Sequence, residues 1–127
     1  MSDNNPATDG GAGQQPVPLE WRSTLRQIAD ELARGNYGLE PGVANVEPMS
    51  ASTTAQIKGY VERYPATLTS LPEAAWDSSV CIWGGSHWEV LVDLWTREEG
   101  PSDLVLHAQV HPVSGGFRFN VQSIYVP

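Results

Sequence analysis

Three histidines, His87, His107 and His111, are the side chains best suited to chemistry in this 127-residue sequence. His107 and His111 are four apart in an alternating stretch and share a face if that stretch is a strand. Two neighbouring hairpin registers give them different company. One sets Asp93 opposite His107 and Glu89 opposite His111; the other sets His87 opposite His111. A metal needs at least three convergent ligands, and nucleophilic catalysis needs an oriented base beside its nucleophile. Neither signature is present, so no catalytic residue, metal ligand or cofactor is assigned, and cross-strand Asp–His pairs on a solvated face account for these residues. Cys81 is the one cysteine and lies in an apolar run, which marks a buried, inert thiol. No phosphate-binding loop, dinucleotide fingerprint, nucleophile elbow or C-x-x-C occurs.

The elements that must position these residues divide the chain in two. Residues 1–17 are rich in Gly, Asn, Gln and Pro and read as a disordered tail, leaving residues 18–127 as a single α+β domain. Trp21, Leu25, Ile28, Ala29 and Leu32 recur at helical spacing, and Arg34 with Gly35 supplies a stop. Residues 36–49, broken by glycine and proline, read as an irregular loop. Ser50 or Ser52 then caps a second helix with Ile57, Tyr60, Val61 and Tyr64 inward, ended by Pro65. One further helical turn is predicted around residues 72–76.

The remainder reads as four strands, at residues 80–83, 88–95, 104–110 and 117–126, in an antiparallel meander. Two main helices pack on one face of it. Alternation puts Trp88, Val90, Val92 and Leu94 on that core face with Leu104, Leu106, Ala108 and Val110. A two-residue turn at Gly115-Gly116 sets Val110 opposite Val121, His107 opposite Ile124 and Val105 opposite Val126. The outer face then gathers Trp95, Val105, Ile124 and Val126 into an apolar patch with a polar remainder, the mark of an interaction site unless the tail or the 36–49 loop covers it. The turn from Thr96 to Asp103 adds Glu98 and Glu99 as an acidic tip, although its residues also suit a purely loop-shaping role.

Charge bounds the partners. Seven basic against fifteen acidic residues give a net charge of -8, which repels phosphate backbones and anionic membrane surfaces. Nucleic acid and membrane are excluded as partners on this reading. A basic protein partner is favoured by the same field, though acidity also serves solubility alone. The first residues show no basic cluster followed by an apolar core, and no run approaches the roughly 20 apolar residues of a span, so a cytoplasmic location is expected.

The stretch Trp88-x-Val90-x-Val92-Asp93-Leu94-Trp95-Thr96-x-Glu98-Glu99-Gly100-x-Ser102-Asp103-Leu104, with helices ahead of it and Ile124-x-Val126 behind, resembles an uncharacterised bacterial domain family. That resemblance covers residues 21–126 and implies no activity. In architecture, helices followed by a curved sheet resemble the cystatin-like and nuclear-transport-factor-like folds, which host binding proteins and enzymes alike.

The reading that results is a non-enzymatic protein-binding domain. In its sharper form the chain resembles, in size and acidity, an immunity-type inhibitor of a bacterial toxin, with a basic toxin domain as partner. Trp95, Val105, His107, Ile124, Glu98, Glu99 and Asp103 are the partner-binding residues expected. Two alternatives stand beside it. One is a small-molecule-binding or small hydrolase or isomerase domain using Asp93 and His107 in a pocket between helices and sheet; the other is a homodimer-forming structural domain.

Overall fold

A computed structural model describes residues 13–127. Helix α1 (Leu19–Ala33) starts at Pro18, whose fixed φ suits a helix entrance, and Glu20 sits in its first turn, where the dipole favours an acid. Trp21, Leu25, Ile28, Ala29 and Leu32 are all buried, as their spacing predicts. Gly35 takes φ +83° just past the end, and its N–H bonds the Leu32 carbonyl, closing the last turn. Helix α2 (Ala51–Arg63) is capped by Ser50, whose hydroxyl accepts from the Thr53 N–H at 3.1 Å. Ile57 is its one fully buried residue; Tyr60, Val61 and Tyr64 pack at the core margin. A 3₁₀ turn (Glu73–Asp77) occupies the place of the predicted extra turn and buries Ala75 and Trp76.

Among the described residues the sheet has five strands where four are expected. Strands β1 (Gln15–Pro16), β2 (Val80–Trp83), β3 (Trp88–Thr96), β4 (Gly100–Val113) and β5 (Gly116–Tyr125) run antiparallel in chain order. The additional strand comes from residues assigned to the tail. Gln15 and Pro16 pair with Cys81 and Val80, and Val17 behind them is 1% exposed. Arg22 fastens this segment, donating to the Val17 carbonyl at 3.1 and 2.9 Å. The remainder of the predicted tail, residues 1–12, lies outside the described residues.

Both helices pack on the predicted face. Trp88, Val90, Val92, Leu94, Leu104, Leu106 and Val110 join the α1 stripe in one core. Trp21 meets Trp88 and Phe117 edge to face at 5.5 Å, which ties α1 to the central strand β3 and the edge strand β5. Each such large side chain removed from water contributes roughly 1.5–3 kcal/mol. The 36–49 loop is less irregular than its composition suggests. Leu39 is buried, and Val46 bridges β5 at Phe119, with the Glu47 N–H donating to Phe119 and the Phe119 N–H donating to Asn45, both at 2.8 Å.

The last hairpin departs from its predicted register. Val113 pairs with Gly116, so Ser114 and Gly115 form the turn, and Gly115 alone takes positive φ, at +83°. Val110 therefore faces Phe119 rather than Val121, a shift of two that preserves the faces. A bulge then reverses them, because Gln122 and Ser123 together oppose His107. Ile124 thereby enters the core opposite Leu106 at 0% exposure, instead of lying on the outer face opposite His107. Burying a large β-branched side chain is the physical reason for the break in alternation. Val126 falls beyond β5 and is exposed, so the predicted apolar patch of Trp95, Val105, Ile124 and Val126 does not form.

Candidate functional site

The outer face of the sheet is built by the β3–β4 register, which is the second of the two predicted. Leu91 lies opposite His107 and Glu89 opposite Gln109. Continuing that register sets His87 against His111, whose rings stack at 4.8 Å between centroids. Towards the sheet edge, Val80 and Ile82 of β2 lie beside Leu91 and Glu89. An apolar strip is thus laid against a polar one.

Glu89 is the centre of the polar strip. One carboxylate oxygen lies 2.6 Å from His87 Nε2, the other 2.5 Å from His107 Nε2, and Gln109 donates to it at 3.3 Å. A carboxylate only accepts, so both imidazoles carry their proton on Nε2. That leaves Nδ1 of His87 to accept from the Ser86 hydroxyl, 3.0 Å away. His111 Nε2 lies 3.2 Å from the Gln109 amide oxygen, which completes a continuous chain across β3 and β4. Burial pushes the Glu89 carboxyl up, but the hydrogen bonds and charge of His107 and His87 outweigh it and hold the pKa below its ordinary value. The array can hold and exchange protons. Among the described residues, no group of three or more His, Cys, Asp or Glu is disposed to hold a metal ion.

The other predicted site residues lie elsewhere. Asp93 faces Val105 rather than His107, so the acid–imidazole pair needed by the enzymatic alternative is not assembled. Val105 is buried between Asp93 and Tyr125 in the strand order. Trp95 packs against the core margin, with its ring over Gly100. Glu98 accepts from the Thr67 N–H at 2.7 Å and the Thr67 hydroxyl at 3.0 Å, and the first of these holds its carboxyl below the ordinary range. Tyr64 donates to Glu99 at 2.9 Å and accepts from the Asp103 N–H at 3.0 Å. The acidic turn is therefore stapled to the end of α2 and the segment after it, and the carboxylates of Glu98 and Glu99 have partners within the chain.

Sequence reasoning missed Val80, Ile82 and Leu91 as the apolar half of this face, Ser86 and Gln109 as links in the chain, and Tyr64 and Thr67 as staples. It also missed the ion pair of Arg118 with Glu47. Alternation carried a signal for four of these, since it separates Val80 and Ile82 from Cys81 and sets Leu91 and Gln109 on the outer face, between the core-facing Val90 and Val92 and between Ala108 and Val110.

These features define a two-layer α+β domain whose helices cover one sheet face and whose other face carries a histidine–glutamate array. The chain belongs to the family described as Domain of unknown function (DUF7668), whose profile matches residues 29–127 and so takes in α2, β2–β5 and the entire array. No curated protein and no solved structure matches it. No helix among the described residues is long and apolar enough to cross a membrane.

Proposed function

We propose that the domain is a non-enzymatic protein-binding module that receives its partner on the outer sheet face. The observation that carries this reading is the juxtaposition of Val80, Ile82 and Leu91 with His87, Glu89, His107 and Gln109 on the face away from both helices. Apolar residues bordered by polar groups are the usual anatomy of a recognition surface. The net charge of -8 supports a basic partner, and an immunity-type inhibitor of a bacterial toxin domain is the specific form proposed. The helix-then-sheet order supports kinship in architecture with cystatin-like and nuclear-transport-factor-like domains.

A photo-crosslinking residue at position 91, compared with one at the exposed Lys58 on α2, tests the reading in lysate of the native host. A heterologous basic protein captured from position 91 and not from position 58 supports it. Capture from position 58 alone would overturn the choice of face. Capture of a second copy of the chain would replace it with a homodimer.

A further inference from the structure

We propose that His87, Glu89, His107 and His111 form a proton-operated latch, which holds the β2–β3 turn closed while the imidazoles are neutral and releases it as they charge. The latch lies on the outer face proposed to receive the partner, and its operation does not depend on a partner binding there.

The turn itself is tight and exposed. The Gly84 N–H donates to the His87 carbonyl at 2.7 Å, and a Cβ on Gly84 would come within 3.1 Å of that oxygen. His87 is the link between this turn and the rest of the sheet. Its ring is held by Glu89 at Nε2, by Ser86 at Nδ1 and by His111 on its face. In the neutral state every one of these contacts is satisfied, because each Nε2–H meets an acceptor and the serine hydroxyl donates to Nδ1.

A first imidazolium strengthens its bond to Glu89, and further ones upset the balance of charge. Imidazoles ordinarily gain their second proton between about pH 8 and pH 5. The charged or titratable groups facing His87 are Glu89 on β3 and His107 and His111 on β4. Arg118 of β5 lies opposite His111, and its charge is matched by Glu47. Asp93 lies further along, opposite Val105, and β2 contributes the uncharged Val80 and Ile82. Among the described residues Glu89 is thus the one anion available to three imidazolium rings, and two of those rings are stacked with none of these residues' anions between them. His111 belongs to a strand paired on both sides and stays in place. The turn carrying His87 has no such support, so the turn moves. Trp83 and Trp88, edge to face at 5.2 Å on this same hairpin, report the motion optically.

The test uses the full chain. Hydrogen-exchange protection of the Gly84 amide and tryptophan emission are followed from pH 8 to pH 5. Wild type is expected to lose protection at Gly84 by about tenfold or more, with a parallel change in emission. His111→Gln, which keeps a polar side chain and removes the facing charge, retains protection throughout, whereas His87→Gln, which removes the link itself, gives a lowered protection that no longer changes between the two pH values. Equal protection at both pH values in wild type would overturn the latch, as would the same loss in wild type and in both variants.

Discussion

Gln56 and Ile124 are joined as two strands would be: the Gln56 amide donates to the Ile124 carbonyl at 2.7 Å, and its oxygen accepts from the Ile124 N–H at 3.4 Å. A side chain on α2 thereby acts as the missing neighbour of β5. Gln56→Ala leaves both backbone groups half-buried without these partners, and a loss of about 1–2 kcal/mol is expected, discounted slightly by the better helix propensity of alanine. Denaturant unfolding should show a lower midpoint with an unchanged slope. Gln56→Glu should cost more, since it sets a carboxylate against the Ile124 carbonyl.

The bulge at Gln122 and Ser123 makes a sharp contrast between two nearby residues. Ile124→Ala opens a cavity in the core and should destabilise by about 2–5 kcal/mol, whereas Val126→Ala, at a position 44% exposed, should change stability by under about 0.5 kcal/mol. Unbroken alternation from Phe117 would place Ile124 and Val126 on one face and give them similar effects. Thermal melts of the two variants distinguish the cases.

Glu89 gives the fold a dependence on acid. Its folded pKa lies below the ordinary carboxylate value, so its contribution to stability is complete above the unfolded value and is lost as pH falls through the folded one. The stability gap between wild type and Glu89→Gln should therefore narrow on acidification. His107→Ala removes one of the two hydrogen bonds that favour the anion and should move the Glu89 midpoint upward, read from its side-chain carboxyl resonance.

Burial pushes the Cys81 thiol up to about 11, and its Sγ donates to the Pro16 carbonyl at 3.5 Å. At pH 8 a disulfide reagent should label the folded chain far more slowly than the denatured chain. Because β1 covers this site, Val17→Ala should raise the labelling rate by about tenfold or more before any change in the helices is seen by circular dichroism.

The helices and the two central strands were legible because their patterns are strong and local. The α1 stripe, the Ser50 cap and the faces of β3 and β4 each follow from spacing alone. The fifth strand was hidden, because Val17 is a single apolar anchor in a polar, glycine-rich context and its partner lies some sixty residues away. The end of β5 was misread because a bulge leaves no mark in composition; a Gln-Ser pair looks like ordinary alternation. For the site, the choice of hairpin register decided everything. Both registers bring histidine near acid, and only the one with Leu91 opposite His107 sets His87 and His107 on Glu89 with His111 stacked on His87.

Sheets invite company at their edges, where unpaired N–H and C=O groups can template another chain. Here the loop at Asn45–Glu47 occupies both backbone groups of Phe119 on β5, and at the opposite edge Pro16 has no N–H to offer. Strand-by-strand growth into a neighbouring copy is thus blocked at those positions by a borrowed loop and an imino acid. At those positions the rims are closed to a further strand, which fits the proposal that a partner is received on the outer face.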